Sequence, residues 1–272
     1  MIATKPTYPS LQSPYSLSAQ AIADYQQNGH VLLDQLASAE EVAAYRTAIN
    51  VAVDRDNTET RPLAERDTYG KAFLQIFNLW ERDPAVRQFT LAKRFADVAA
   101  QLMGCERVRI YHDQALYKEP GGGRTPWHQD QYYWPLDTSQ TITLWMPLVD
   151  TTADMGIMQF ASGSQAEGYV DKLGISDASQ AYLESYVRDN GFPISSAPAM
   201  RAGDATFHSG WTLHMAPANQ SQTMREVMTV IYFADGTRAT EPDNDGRRAD
   251  LARWMPGVRP GELVDSSLNP VV

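Results

Sequence analysis

His128 and Asp130 stand two positions apart in the segment TPWHQDQYYW, and a second histidine, His214, follows far downstream in WTLHMA. These residue types suit a metal. Imidazole and carboxylate are ligands for iron(II), whereas thiolate would favour copper or iron–sulfur chemistry. Two histidines and one carboxylate on one face of an octahedral ion leave open positions, which a bidentate 2-oxo acid and O2 can fill. An HxD pair alone is common on surface strands, and the same bland reading fits His30, His112 and His208. The surroundings of His128 argue for more. It follows the Gly-rich turn GGGRTP and lies among Trp127, Tyr132, Tyr133 and Trp134.

Arg225 is the second chemical signal. It heads the apolar run MREVMTVIYF, where strand parity puts it on the face of Val227, Thr229 and Ile231. A charged residue leading an inward apolar face needs an anionic partner. The guanidinium fork suits a carboxylate, which it can grip bidentately. The distal carboxylate of 2-oxoglutarate would serve, and so would an internal Asp or Glu.

These residues need elements that bring distant segments together. From Val108 onward, short β-type runs alternate with Gly, Pro, Asn and Asp turns. The runs are 107–118, 125–133, 140–150, 156–160, 194–200, 204–208, 211–216 and 224–234. Within 125–133, residues two apart share a face, so His128 and Asp130 converge while Gln129 points away. Eight short strands with turn punctuation predict a sandwich or jelly roll. A helical insertion near 177–188 interrupts them.

The N-terminal part reads differently. Residues 18–28 predict a helix stopped by Gly29, and His30–Leu36 a strand. Ser38 and Glu41 form a capping box for a helix over 39–54. A polar loop over 54–67, a strand over 71–79 and a helix over 85–102 follow. The chain therefore reads as one domain, mainly β with α. A helical N-terminal shell (about 1–105) packs on a jelly-roll core (about 106–235), followed by a C-terminal extension (236–272).

Composition excludes several classes. Hydrophobic residues make up 43% and charged residues 21%, as in ordinary globular proteins. No apolar run approaches the roughly 20 residues that span a bilayer, and the N-terminus lacks a signal pattern, so a cytoplasmic protein with no membrane partner is expected. The one cysteine, Cys105, rules out an intrachain disulfide and Cys-based metal sites. A net charge of −10 without a dense basic run argues against nucleic acid. The pair Arg247–Arg248, among Asp243, Asp245 and Asp250, reads as a solvated helix face.

Taken together, the segments YQQNGHVLLDQLASAEEV, LYKEPGGGRTPWHQDQYYWPLD, LWMPLVDTTADMGIMQFASGSQ and FHSGWTLHMAPANQSQTMREVMTVIYF resemble the phytanoyl-CoA dioxygenase family of Fe(II)/2-oxoglutarate oxygenases. The likeness runs from about Tyr25 to Phe233. It implies a double-stranded β-helix, a cupin-like jelly roll with flanking helices. It also implies His128, Asp130 and His214 as iron ligands, Arg225 as the 2-oxoglutarate anchor, and Trp145, Gln75 and Asn78 near the co-substrate or site. One position departs. Some relatives carry a hydroxyl residue two places after the distal histidine, where this chain has Ala216, leaving Thr125 or Thr143 to supply it.

The implied activity is hydroxylation or related oxidative C–H chemistry with O2, yielding succinate and CO2. A non-catalytic cupin-type binding protein is the alternative. Tyr132, Tyr133, Trp134, Phe207 and Trp211 flank the ligands and are candidates for an apolar substrate pocket. Lys118 and Arg124 bracket the Gly-rich turn and are candidates for holding one acid group. That favours a small or medium free molecule over a coenzyme A thioester, whose phosphates call for clustered cations.

Overall fold

The computed structural model describes residues 7–170 and 174–272. Ser18 caps helix α1 (Ala19–Asn28), and Gly29 ends it at a φ of 76°. Strand β1 (His30–Leu33) follows. Ser38 and Glu41 exchange both hydrogen bonds of a capping box at the start of α2 (Ala39–Asp56). Asp67 caps the short α3 (Thr68–Ala72), which leads into β2 (Leu74–Phe77). The shell closes with α4 (Leu79–Arg82), α5 (Pro84–Thr90) and α6 (Lys93–Met103).

The single helix expected over 85–102 is thus two. Ala92 is extended, with ψ 119°, and the N–H of Arg94 donates to Leu11 O instead of continuing α5. The corner lets Phe89 and Phe95 meet edge to face, ring centroids 5.2 Å apart, in the core.

The strands that follow are β3 (Val108–Tyr117), β4 (Thr125–His128), β5 (Thr141–Pro147), β6 (Thr151–Thr152) and β7 (Gln159–Ala161). Helix α7 (Asp177–Asp189) is the expected insertion. Then come β8 (Ile194–Ser195), β9 (Ala199–Met200), β10 (Ala205–Ser209), β11 (His214–Ala216) and β12 (Val227–Ala234). The run expected over 194–200 divides, because its ends pair in different sheets. Helix α8 (Asp245–Trp254) lies in the C-terminal extension, where Arg247–Arg248 read as a helix face.

The large sheet has the order β1-β10-β5-β12-β3-β2, and a second sheet has the order β4-β11-β7-β8. Every pair is antiparallel. This is the double-stranded β-helix with flanking helices. Alternation along the strands decides what each face does. Leu144, Phe207 and Val230 pack with Ile49, Phe89 and Phe95 in the main core. Their neighbours Thr143, Trp145, His208 and Thr229 line a cavity that also reaches β4 and β11. No described helix is long and apolar enough to cross a membrane.

Candidate metal centre

β4 and β11 are antiparallel neighbours, with His128 directly across from His214. Both rings are oriented by the same device. His128 Nδ1 lies 2.8 Å from Pro126 O, and His214 Nδ1 lies 2.9 Å from Thr212 O. A carbonyl only accepts, so each ring carries its proton on Nδ1 and presents a bare Nε2. Both Nε2 atoms face Asp130 Oδ1, at 3.5 and 3.7 Å. The donor atoms of the three residues all lie within 4.8 Å of one another. Lone pairs and a carboxylate oxygen converge with no proton between them, so the cluster calls for a cation. An imidazole–imidazole–carboxylate set fits iron(II).

The electrostatics agree with that fit. Burial, with His128 and His208 close by, drives the His214 pKa well below its ordinary value, so the ring is in its ligand form. Burial alone would raise the Asp130 carboxyl, but its histidine surroundings, with His208 donating to Oδ2, hold it well below the usual carboxylate range.

Asp130 is not in a strand, contrary to the expected 125–133 run. The strand stops at His128, and Asp130 opens a 3₁₀ turn, Asp130–Tyr132. The Gln131 N–H donates to Gly210 O at 2.9 Å, which ties the turn to the loop before β11. Gly210 leaves no room for a side chain, since a Cβ there would sit 2.4 Å from Thr141 Oγ1 and 2.7 Å from the Trp134 ring. Gln129 does point away, donating to the carbonyls of Gly168 and Trp211, both at 2.7 Å.

His208 belongs to this centre, although its sequence context offered only the bland reading. The Thr143 hydroxyl donates to Asp130 Oδ2 at 2.9 Å, and His208 Nε2 reaches the same oxygen at 3.2 Å. In the large sheet His208 pairs with Thr143. The signal was available as parity, because His208 alternates with the core residue Phe207.

The centre opens on a cavity of about 340 Å³. Arg225 lines it and is 1% exposed. Its Nη1 donates to Gly156 O at 2.5 Å, its guanidinium lies 5.3 Å from the Trp145 ring centre, and its Nε has no partner. No carboxylate pairs with it among the described residues. Burial pulls its pKa down to about 9. Gly156 is required here: its φ is 82°, and a Cβ would meet Pro217 O at 2.4 Å. A buried, half-partnered guanidinium lining the same cavity as the triad fits the carboxylate of a 2-oxo acid.

The remaining candidates separate. Trp145, Thr125, Gln75, Tyr133 and Trp134 line the cavity. Thr125 lies directly across from Ala216, while Thr143 is committed to Asp130. Phe207 instead lies in the main core, because its side of β10 faces the helices. Tyr132 stacks with Tyr169, and Trp211 packs edge-on against Tyr169, both outside the lining. Asn78 is structural: it accepts from Trp80 Nε1 and from the Asp113 N–H. Lys118 is buried, donates to Gly123 O and does not line the cavity, and Arg124 is exposed, so neither supplies the acid grip expected of them. Helix α8, unanticipated as a wall, contributes Gly246, Ala249, Asp250, Arg253 and Trp254.

The family profile of phytanoyl-CoA dioxygenase (PhyH) matches residues 25–227. The chain belongs to the phytanoyl-CoA dioxygenase family. It is 23% identical over 227 residues to a probable alpha-ketoglutarate-dependent hypophosphite dioxygenase of Stutzerimonas stutzeri, covering 79% of this chain and 78% of that protein. The solved carbocyclase SnoK from nogalamycin biosynthesis, a non-heme alpha ketoglutarate dependent enzyme, is 25% identical with a TM-score of 0.78, covering 98% of this chain and 100% of that one. The epimerase SnoN, solved with Fe3+, alpha ketoglutarate and nogalamycin RO, shares the fold at a TM-score of 0.76 and 22% identity, covering 93% and 97%. As a member of the phytanoyl-CoA dioxygenase family, this protein is an oxidoreductase that depends on iron(II), 2-oxoglutarate and O2.

Proposed function

We propose that His128, Asp130 and His214 hold the iron and that Arg225 grips the distal carboxylate of 2-oxoglutarate. The observation that carries this is the buried Arg225 guanidinium, without an acid partner among the described residues, in the same cavity as the triad. Thr125 supplies the hydroxyl that Ala216 lacks, since it stands across from Ala216 and lines the cavity. Trp145 forms the floor against which the guanidinium is held.

When bound, iron(II) with 2-oxoglutarate and O2 supplies the oxidising power, releasing succinate and CO2. The chain's own residues do the rest. Pro126 O and Thr212 O fix the imidazole tautomers, and Thr143 with His208 fixes the carboxylate. The apolar lining from Phe77, Trp134 and Met158 excludes water from the reacting carbon.

The substrate is a small or medium molecule with a ring, oxidised at a C–H bond. The ring-rich lining supports this, as does the similarity to the epimerase SnoN, which was solved with nogalamycin RO. A coenzyme A thioester is not the substrate. Among the described residues, the lysine and arginine side chains lining the cavity are Arg225 and Arg253 alone, too few for its phosphates.

Anaerobic titration tests the reading. Iron(II) plus 2-oxoglutarate should give a weak visible charge-transfer band that His214→Ala abolishes. No band in the wild type, and no succinate in air, would sink it. Assaying acyl-CoA thioesters beside their free acids tests the substrate class, and oxidation of a thioester with its acid inert would overturn it.

A further inference from the structure

Helix α8 turns one face to the cavity. Gly246, Ala249, Asp250, Arg253 and Trp254 follow the spacing of a single helical stripe. The stripe lies beyond residue 227, where the family match ends. The matched part holds the triad and Arg225, whereas this wall is supplied by a segment outside it. A shared reaction with its own recognition wall is what a substrate-selecting element looks like. Gly246 and Ala249 make space, and Trp254 with Phe77 and Tyr133 presents rings to whatever fills it.

Asp250 is the polar group in that stripe with acceptor capacity to spare. Its Oδ2 accepts from the Tyr111 hydroxyl at 2.7 Å, and the Trp254 indole also bonds to it. A carboxylate offers about four lone-pair sites, so acceptor positions remain. No cation pairs with it among the described residues. Arg247 pairs with Asp243, Arg248 pairs with Asp245, and Arg253 lies over the Trp254 and Phe77 rings, 4.2 and 4.7 Å from their centres. Burial is the first cause lifting its carboxyl to about 7, the behaviour of a desolvated acid short of donors.

We propose that α8 is the substrate-recognition wall and that Asp250 accepts a hydrogen bond from a hydroxyl on a ring-bearing substrate. The inference rests on the iron and 2-oxoglutarate reading of the same cavity. A hydroxyl is favoured over an ammonium because the Arg253 charge already acts on Asp250. A neutral donor fills the open acceptor site without meeting repulsion from that guanidinium.

The test is calorimetric titration of the anaerobic protein, loaded with iron(II) and 2-oxoglutarate, against three matched probes: 2-naphthol, 2-methylnaphthalene and 2-naphthylmethylammonium. The wild type should bind 2-naphthol about ten-fold more tightly than the methyl probe, the scale of one hydrogen bond to a charged acceptor. Asp250→Leu should bring the two within about two-fold, the size of a residual shape effect. The charge-transfer band reports whether that variant still folds and loads. If it does not, Asp250→Asn replaces it, and its neutral acceptor should still cut the preference several-fold. Equal binding of the two probes by the wild type, or no binding of 2-naphthol, overturns the proposal. So does a preference that survives in the loaded variant, or tightest binding of the ammonium. A missing band in the wild type defeats the iron reading instead, which keeps the two failures apart.

Discussion

His208 Nε2 lies 3.2 Å from the outer oxygen of Asp130, while the two imidazoles of His128 and His214 converge on its inner oxygen. The carboxylate is therefore divided. Oδ2 is held by His208 and Thr143, and Oδ1 is left for the metal. His208 Nδ1 has no partner, which assigns the proton to Nε2 and makes the ring a donor.

His208→Leu should therefore weaken iron(II) binding by about 10–100-fold, the usual cost of losing an outer-shell partner of a metal ligand. His208→Gln, which keeps an N–H donor, should recover part of the loss. Anaerobic iron titration measures both. Wild-type affinity in His208→Leu would mean that Thr143 alone orients the carboxylate.

Arg225 yields a prediction with two opposing signs. Arg225→Leu should raise the 2-oxoglutarate dissociation constant by about 10–100-fold, since a charge-assisted pair is worth about 1.5–3 kcal/mol. Without co-substrate the variant should be no less stable than the wild type, because it removes a buried cation that lacks an acid partner. Thermal melts with and without 2-oxoglutarate separate the effects. A variant that unfolds while keeping co-substrate affinity would make Arg225 a structural residue.

Much of this was legible in the chain. The capping signals at Ser18 and Ser38, the Gly29 stop and the β-punctuated run after Val108 are local, and they read correctly because local chemistry decides them. The spacing of His128, Asp130 and His214 marked side chains that the fold brings within 4.8 Å. The route to Asp130 was misread, since a strand and a 3₁₀ turn after a strand both bring residues i and i+2 near each other. What set the turn was Gly210 O, some 80 residues on, which no local pattern contains.

His208 and α8 were missed for a related reason. A lone histidine in an apolar strand gives no sign of which residue it faces, and Thr143 became its neighbour only through sheet pairing. Helix α8 looked solvated because Arg247 and Arg248 dominate its sequence, yet the opposite stripe is the one that meets the cavity. Phe207 is a pocket candidate in the sequence because it flanks the ligand His214, whereas alternation sends it to the other face of the sheet.

Asp113 should prove a stability residue. It is fully buried, takes the N–H groups of Leu79 and Trp80 at 2.9 and 3.1 Å, and accepts the Thr90 hydroxyl at 2.8 Å. It thereby pins α4 and α5 to β3. Asp113→Ala strands these donors and should cost about 2–4 kcal/mol, given about 1–3 kcal/mol for each unsatisfied buried group with partial relaxation. Denaturant unfolding measures it. A loss below about 1 kcal/mol, less than one stranded donor costs, would show that water replaces the carboxylate.

Asp250 should make stability depend on pH in a stated direction. Burial raises its folded pKa from 3.8 to about 7. Below the lower value both states hold the proton, and above the upper one neither does. Between them the unfolded chain has released a proton that the folded chain keeps. The folded state binds more protons there, so this group's contribution falls as pH rises, by at most about 1.4 kcal/mol per unit. Asp250→Asn cannot ionise, and its carbonyl still accepts from the Tyr111 hydroxyl. The variant should therefore match the wild type near pH 4 and melt at a higher temperature at pH 8. Melting curves of both proteins across that range decide the matter. If the difference between them does not grow with pH, the carboxylate has found a counter-charge and Asp250 carries no unmet demand for a donor.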